Sequence, residues 1–397
     1  MSIRIHRTEF PKVRLTLPAP VGPFRRPRPR ARAQLVVVVL ALAALAAACS
    51  SNASTSGSST STTAATLSRP APVHATITVA AVGSIDGTSF FSARQQGFFN
   101  QWGLDANVQV YPTGVEVMNQ VASGAAQFGD VGAAPILTTI SKGLPLTIIA
   151  DNHGSAVNSY YAQNQAIVAG PNTGIRAGDI ASLKGKKIGV AVNTDAVGYL
   201  QTLLATVHLS LSDISQVNLA PADGVTALAR GSVDAIATFE PWPSVALQEI
   251  PGSVLVEEDN SKTWYDPGVI ISSTSYLAAN PHTAVAFLAA ISQSESWVRS
   301  HLPQAATNAT QSITGLLPAV ANRAIEHVTF DPRLSKLVFQ GLQSSMVGFL
   351  KNTNQLTGPV SATSAINPTF MLTVQKYDPQ FFSDLPPIPA AAVMTSG

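Results

Sequence analysis

The feature that most limits how this chain can fold is a short pattern that occurs twice, about a hundred residues apart. The first copy is VASGAAQFGDVGAAP, from Val121 to Pro135, and the second is ALARGSVDAIATFEPW, from Ala227 to Trp242. Each copy predicts a helix that ends at a glycine, a short apolar strand, and a proline that begins the next helix. In open α/β sheets, a strand that ends beside a helix N-terminus forms a crevice for ligands. The two copies therefore predict two similar lobes that close on a small molecule.

Strands alternate with helices on both sides of these copies. The predicted strands besides the two in the motif are 76–82, 107–111, 146–150, 187–192, 217–219 and 269–273, and the longest predicted helices are 281–299 and 333–350. This spacing implies βα units and an α/β fold, with mixed, mostly parallel sheets in two lobes around a central cleft. The predicted division is 76–168 for the first lobe, 169–268 for the second, 269–385 for a return to the first lobe with further helices, and 386–397 for a tail. Hinge strands are expected at 166–170 and 269–273.

The first 34 residues hold an unusual share of the positive charge. Nine of the 24 Lys and Arg residues lie there but only one of the 22 Asp and Glu residues, which leaves 15 basic and 21 acidic residues in the rest of the chain. A nucleic-acid partner is therefore not indicated. The basic arm and the apolar run LVVVVLALAALAAA predict a secretory signal peptide over residues 1–48. A retained membrane anchor is the alternative, although 14 apolar residues fall short of the ~20 that a spanning helix needs.

Cys49 is the single cysteine, which excludes a disulfide within the chain and a thiolate metal cluster. It follows three alanines, a position that resembles the lipobox of bacterial lipoproteins, so we predict that Cys49 is lipidated. Residues 50–66 are almost entirely Ser, Thr, Ala, Gly and Asn, and such a segment has too little apolar surface to fold. Residues 49–75 are therefore predicted to be a flexible tether that holds an extracytoplasmic protein at the outer face of the cell membrane.

Five loops that follow predicted strands are expected to meet at one cleft. The candidate ligand-binding residues in them are Ser84, Asp86, Gly87, Thr88, Tyr111, Gly132, Ala133, Ala134, Asn193, Thr194, Asp195, Glu240 and Trp242. None of these loops contains Lys or Arg, whereas three of the candidates are acids. The sequence therefore favours a neutral, zwitterionic or amine-bearing ligand whose N–H groups donate to Glu240 or Asp195. Trp242 or Tyr111 is expected to stack on a planar or methylated part of it.

Each candidate also has a purely structural interpretation. Asp195 can cap the helix that follows it, Asp86 can hold its own turn, and Glu240 can be a solvated residue at a helix start. Tyr111 and Trp242 can belong to the core. The seven histidines are scattered without ligand spacing, and His153, which lies closest to a strand end, is interpreted as an ordinary loop residue. No metal, cofactor or catalytic residue is predicted.

Several short motifs occur together in an order that resembles one protein family. They are Gly97-Phe98-Phe99, Gly103-Leu104-Asp105, Ser123-Gly124, Gly143-Leu144-Pro145-Leu146, Leu183-Lys184-Gly185-Lys186-Lys187, Gly231-Ser232-Val233-Asp234-Ala235, Glu240-Pro241-Trp242 and Asn280-Pro281. Over residues 76–302 the chain resembles the solute-binding lipoproteins of ABC importers of the nitrate/sulfonate/taurine type, which include thiamine-pyrimidine binders. The resemblance implies a type II periplasmic-binding fold, a monomer with a hinged cleft, and an ABC permease and ATPase as partners. Thr194-Asp195 departs from the small hydroxyl or glycine residues that sulfonate and nitrate binders have at that helix N-terminus.

The resemblance implies a receptor that captures a small sulfonate-, nitrate- or taurine-class or nitrogen-containing solute and delivers it to the permease. The alternatives are a cell-surface binding protein or scaffold without a transport role, and an enzyme on the same fold. The aromatic desulfinases among the relatives use a cysteine nucleophile in the cleft, and the eukaryotic pyrimidine-phosphate synthases carry a cysteine-rich iron motif. Because Cys49 is the only cysteine and precedes the folded body, binding without chemistry is the prediction.

Overall fold

The computed structural model of the chain describes residues 67–158, 164–258 and 264–394. The predicted signal peptide, Cys49 and residues 49–66 of the predicted tether lie outside the described residues. No helix within the described ranges is both long enough and apolar enough to span a bilayer.

The strands fall into two groups along the chain. In order they are Ala75–Val82 (β1), Leu104–Tyr111 (β2), Phe128–Gly132 (β3), Leu146–His153 (β4), Gln165–Ala169 (β5), Lys187–Val190 (β6), Ser215–Asn218 (β7), Ala235–Phe239 (β8), Val254–Glu258 (β9) and Gly268–Ser273 (β10).

Helices connect these strands and fill the C-terminal third. They are Thr88–Gln95 (α1), Phe98–Gln101 (α2), Gly114–Ala122 (α3), Ala133–Ser141 (α4), Asp195–Thr206 (α5), Pro221–Ala229 (α6), Trp242–Glu249 (α7), Thr274–Ala279 (α8), Pro281–Ser300 (α9), Leu302–Thr310 (α10), Pro318–Ala324 (α11), Lys336–Gly341 (α12), Gly348–Asn352 (α13), Ala362–Ala365 (α14) and Thr369–Tyr377 (α15). A π-helical segment, Leu342–Val347, joins α12 to α13.

The strands form two five-stranded sheets with the same plan. The first sheet has the order β2-β1-β3-β10-β4, and the second has the order β7-β6-β8-β5-β9. In each sheet one strand, β10 or β5, is antiparallel to both of its neighbours. The two copies of the sequence pattern supply β3 and β8, which occupy the same central place in their sheets. The predicted α/β fold with two mixed, mostly parallel sheets is confirmed.

Stacked aromatic rings centre the core of the first lobe. Phe287 of α9 lies parallel to Phe128 of β3 with ring centroids 3.9 Å apart, and it also stacks on Phe99 at 5.9 Å and on Phe90 at 6.3 Å. Aromatic side chains bury large apolar areas, and offset stacking, as in the pairs at 5.9 and 6.3 Å, adds to that gain. Helix α9 is thereby fixed across the first sheet, which holds the carboxyl ends of its strands in place.

The segments that cross between the sheets differ from the predicted hinges. Residues 166–170 and 269–273 lie almost entirely within β5 and β10, each hydrogen-bonded to a strand on both sides. The described chain leaves the first sheet at His153 and enters the second at Gln165, and it leaves the second at Glu258 and returns to the first at Gly268. Strand β5 begins at Gln165, so residues 165–168, predicted in the first lobe, belong to the second sheet. A strand paired on both sides cannot bend as a hinge without losing its ladder of hydrogen bonds.

Both ends of the described body are attached to it. At the end of the predicted tether, Val73 donates its N–H to the Trp102 carbonyl at 3.0 Å and packs against the core. In the predicted tail, Ala392 is buried and the Ala391 carbonyl accepts from Lys336 Nζ at 3.2 Å. The long helix predicted over 333–350 corresponds to a continuous helical stretch over 336–352, which begins three residues later than predicted and contains the π-helical segment between α12 and α13.

Candidate functional site

A cleft lies where strand ends of the two sheets face each other. Its lining comes from the carboxyl ends of parallel strands and the amino ends of the two antiparallel strands, as expected if both sheets present the same edge. The lining residues are Val82, Ser84, Asp86, Gly114, Asp130, Val131, Gly132, Pro135, His153, Asn164, Gln165, Thr194, Asp195, Phe239, Asp266 and Gly268. The cleft holds about 500 Å³, including space open to solvent, which is within the usual size of small-molecule sites.

One carboxyl group joins the two lobes across this cleft. Asp195, at the start of α5 in the second lobe, accepts a hydrogen bond from the Ala134 N–H of the first lobe at 2.6 Å. Ala134 lies in the first turn of α4, where backbone N–H groups have no partner within the helix. Negative charge is stabilised at such a helix end. Gly132 permits the contact, since a Cβ there would lie 1.6 Å from Asp195 Oδ2.

A second carboxyl group lies beside the first. A side-chain hydrogen bond joins Asp195 to Asp266, and Gln165 donates its Nε2 N–H to Asp266 Oδ2 at 2.8 Å. Burial raises the pKa of Asp195, although the Ala134 N–H and the Asp266 side chain oppose the increase. A hydrogen bond between two carboxyl groups requires one proton between them. A cationic group of a solute could therefore bind between Asp195 and Asp266 in place of that proton.

On the first-lobe side, an acid–histidine pair lines the cleft. His153 Nε2 lies 2.8 Å from Asp86 Oδ2. Burial opposes ionisation of Asp86, but the charge and hydrogen bond of His153 outweigh it, and the pKa of Asp86 is lowered. Burial, together with the charge of Asp86, raises the pKa of Asp130 well above its usual range. Asp130 Oδ1 accepts from the Val82 N–H at 2.8 Å, which fixes its direction.

The polar groups that line the cleft are mainly hydrogen-bond acceptors. Asn164 Oδ1 and Gln165 Oε1 are buried and have no hydrogen-bond partner among the described residues. No Lys or Arg is present in the described lining of the cleft. A buried acceptor without a partner costs free energy, and a bound N–H donor would remove that cost.

The structure brings only part of the predicted site together. Of the candidates, Ser84, Asp86, Gly132, Thr194 and Asp195 line the cleft, and Ala134 contributes its N–H through the bond to Asp195. Gly87, Thr88 and Ala133 are buried behind the lining, where the Thr88 hydroxyl donates to the Ile85 carbonyl. Asn193 lines a separate hollow between α4 and the loop before α5.

The aromatic candidates and Glu240 lie elsewhere. The Tyr111 hydroxyl donates to Gln109 Oε1 at 2.7 Å on the surface, and Trp242 packs against the core. Glu240 does not line the cleft and instead lines a second cavity behind it. The side chains at the ends of β8 alternate in direction, as in any strand. Phe239 therefore faces the cleft and Glu240 faces away from it.

Other cleft residues are absent from the sequence-based set. Asp130 could have been predicted from the sequence, because an acidic residue inside a short buried strand indicates a functional side chain. His153, interpreted as an ordinary loop residue, ends β4 and pairs with Asp86 in the cleft. Gln165 and Asp266 begin or precede the antiparallel strands, whose amino ends reach the same edge as the carboxyl ends of the parallel strands. Gln165 and Asp266 are not among the predicted site residues, because the prediction considered only loops that follow strands.

The described residues include no group of three or more His, Cys, Asp or Glu arranged to hold a metal ion. The described lining of the cleft contains no cysteine either. The arrangement provides hydrogen-bond acceptors and negative charge in an enclosed space. It is therefore suited to bind a small molecule that carries N–H groups.

Known proteins resemble this chain in sequence and in fold. A protein of Bacillus subtilis strain 168, provisionally named an aliphatic sulfonates-binding protein, is 25% identical over 219 residues, 54% of this chain and 63% of that protein. The chain thus spans less than two thirds of that relative. The alkanesulfonate-binding protein SsuA of Xanthomonas axonopodis pv. citri, bound to MOPS, superposes with a TM-score of 0.65 at 22% identity, over 76% of this chain and all of SsuA.

The same fold is also found in an enzyme. The desulfurization enzyme DSZB superposes with a TM-score of 0.54 at 16% identity, over 76% of this chain and 99% of the enzyme. At these identities the structural likeness concerns the fold alone. A family model described as NMT1/THI5 like matches residues 84–306, which cover strands β2 to β10 and every cleft residue except Val82. The resemblance read from the sequence motifs is confirmed at this level: the chain belongs to the NMT1/THI5-like family.

Proposed function

We propose that this protein is the extracytoplasmic solute receptor of an ABC importer, which captures a small solute between its lobes and delivers it to the permease. The observation that carries the proposal is the cleft itself, enclosed by the facing edges of two matching sheets and bridged by Asp195. Family membership and the named relatives support it. We further propose that Cys49 carries a lipid and that the receptor acts as a monomer at the outer face of the membrane.

The solute is proposed to carry cationic or other N–H groups. Asp195 and Asp266 are neighbouring carboxyl groups joined by a hydrogen bond, Asn164 and Gln165 offer unused acceptors, and no described lining residue is Lys or Arg. A sulfonate or nitrate would instead meet Asp195 at the helix N-terminus that suits an anion best. The relatives named for sulfonates thus share the fold. Of the solute classes predicted from the sequence, the cleft of this chain favours a nitrogen-containing solute.

A cation that binds between Asp195 and Asp266 is expected to release the shared proton. Calorimetric titrations in two buffers of different ionisation enthalpy then give different apparent enthalpies of binding, because the released proton is taken up by the buffer. Equal apparent enthalpies would mean that no proton leaves on binding.

The test of the proposal is thermal unfolding of the full chain against a solute panel of amines, polyamines, aminopyrimidines, taurine, alkanesulfonates and nitrate. A ligand at about 100 times its dissociation constant adds roughly 2.7 kcal/mol, which raises the unfolding midpoint by a few degrees. We expect a shift with an amine or aminopyrimidine that is lost in Asp195→Asn. The matched control is Asp223→Asn, which removes an exposed acid from the same lobe.

Two results would contradict the proposal at different levels. A shift with alkanesulfonate or nitrate that survives in Asp195→Asn would retain the receptor and exclude the cationic solute. No shift across the whole panel would favour the alternative of a surface scaffold. The enzymatic alternative predicts turnover of the bound compound, and recovery of unchanged solute from the complex excludes it.

A further inference from the structure

A second cavity lies on the far side of the strand ends that form the cleft. It is lined by Ala166, Glu240, Pro243, Ser244, Leu247, Leu255, Glu258, Arg323 and His327, and it holds about 500 Å³, including space open to solvent. Strand β5, helix α7 and strand β9 of the second lobe form most of its wall. Helix α11 and the short 3₁₀ turn Ile325–His327 complete it.

A buried carboxyl group is the main polar feature of this cavity. Glu240 is only 6% exposed. The Ser244 hydroxyl donates to Glu240 Oε1 at 2.9 Å, whereas Glu240 Oε2 has no hydrogen-bond partner among the described residues. Side chains of Ala166, Pro243, Leu247 and Leu255 make the rest of the nearby wall apolar. Burial of this oxygen costs free energy, because its hydrogen bonds to water are lost and no hydrogen bond within the described protein replaces them.

The other charged groups of the cavity already have partners. Glu258 Oε1 and His327 Nδ1 lie 2.5 Å apart. Arg323 extends its guanidinium to Gln248 Oε1 at 3.1 Å. Glu240 is therefore the group in the cavity with unused capacity, and that capacity is to accept a hydrogen bond.

We propose that this cavity is a second ligand site, which binds a small aliphatic amine with its ammonium group on Glu240 and its alkyl part against Leu247 and Leu255. An ammonium group supplies both the missing donor and the missing positive charge. An alkyl chain gains free energy on leaving water for the apolar wall. The site is separate from the cleft and does not depend on the function proposed for the cleft.

Other ligand classes fit the cavity less well. A hard metal cation needs several oxygen ligands, whereas here Glu240 offers one free oxygen. An anion would be repelled by Glu240, and the two basic residues that could hold it are engaged with Glu258 and Gln248.

The position of Glu240 also links the second site to the contact between the lobes. The Glu240 carbonyl accepts from the Ile85 N–H of the first lobe at 3.2 Å, and the Glu240 N–H donates to the Asn164 carbonyl at 2.8 Å. Ile85 follows Ser84 and Asn164 precedes Gln165, and all three of Ser84, Asn164 and Gln165 line the cleft. An amine bound to the Glu240 side chain would therefore contact a residue whose backbone is hydrogen-bonded to Ile85 of the first lobe and to the cleft residue Asn164.

The experiment is calorimetric titration of the full chain with n-butylamine at pH 8 and at pH 6, with n-butanol as the uncharged probe of the same shape. We expect binding of butylamine at pH 8 and about tenfold weaker binding at pH 6. Burial raises the pKa of Glu240 to about 7, so a proton occupies most of its carboxyl groups at the lower pH. Glu258, His327 and Arg323 are the other charged groups that line the cavity with Glu240. n-Butanol should bind at least tenfold more weakly at pH 8.

Variants locate the amine. Glu240→Gln and Leu247→Trp, which places a large side chain in the cavity from an exposed position, should each weaken butylamine binding at least tenfold. Glu249→Gln, which changes an exposed acid on the same helix, should not. The proposal is overturned if no butylamine binds at pH 8. It is equally overturned if Asp195→Asn abolishes binding while Glu240→Gln and Leu247→Trp leave it intact, because the amine then occupies the cleft.

Discussion

Whether a residue at a strand end lines the cleft depends on the face of the strand to which its side chain points, and not only on its position in the sequence. Phe239 and Glu240 are neighbours, yet one lines the cleft and the other lines the second cavity. The sequence shows that both follow a strand but not which face each side chain takes, since that depends on where the strand ends within the sheet. Asp195 could be predicted as a cleft residue, but not its bond to Ala134, because the donor belongs to the other lobe.

Glu240 makes the stability of the protein depend on pH in a predictable direction. Burial raises its pKa from 4.5 to about 7, so the folded state favours the protonated form, and the resulting stability is lost as the pH rises through 7. Glu240→Gln keeps the shape and the bond from Ser244 without the charge. We expect the variant to match wild type near pH 4 and to gain on it by up to roughly 3 kcal/mol by pH 8.5.

Urea unfolding at a series of pH values measures this difference. Other buried acids, such as Asp130 and Glu295, also have raised pKa values, but they are common to both proteins and cancel in the comparison. Glu249→Gln is the control, and its difference from wild type should show no such trend. A Glu240→Gln variant that loses stability relative to wild type as the pH rises would show that the carboxyl group is ionised without cost.

At the scale of elements, the junction of β3 and α4 is where the first lobe meets Asp195 of the second lobe, and it has no room for an added side chain at Gly132. Gly132→Ala would place a methyl group 1.6 Å from Asp195 Oδ2, so the carboxyl group must leave the Ala134 N–H. We expect the two lobes to separate while each remains folded, with an increased radius of gyration in small-angle X-ray scattering and solute affinity reduced at least tenfold.

Gly114→Ala is the matched control for that change. Gly114 also lines the cleft, but its added methyl group would meet the Val131 Cβ at an ordinary 3.6 Å. It should leave the radius of gyration as it is. An unchanged radius in Gly132→Ala as well would show that the Asp195 contact does not hold the lobes together.

Much of the element plan could be predicted from the sequence, and the failures have physical causes. β1 and β10 were predictable because each is a short run rich in β-branched residues and bounded by turn residues, and β3 and β8 because each lies between a helix-ending glycine and a helix-starting proline. Strand β5 was predicted only as a hinge strand at 166–170, and β9 was not identified, because five residues such as VLVEE give no period that separates a strand from a buried helix segment. The π-helical segment between α12 and α13 likewise has no local signal such as an internal proline.

At the scale of the whole molecule, the repeated sequence pattern corresponds to a repeated sheet. β3 and β8 occupy equivalent central positions, and their sheets place an antiparallel strand beside them in the same order. Two edges of the same kind that face each other form one cleft, and two-lobed proteins of this design close around their ligands by hinge motion. Strands β5 and β10 are each paired on both sides, so the predicted hinge strands are fixed within their sheets.

The measurement that tests closure on a solute most directly is a pulsed electron paramagnetic resonance distance between the lobes. In a chain with Cys49→Ser, nitroxides at Asn119→Cys in α3 and Ala205→Cys in α5 occupy exposed helix positions, one on each lobe. Addition of the solute that most raises the unfolding midpoint should shift the distribution of distances between the two nitroxides to a single, narrower population at shorter distance. A distribution that stays the same at saturating solute would contradict capture by closure of the cleft.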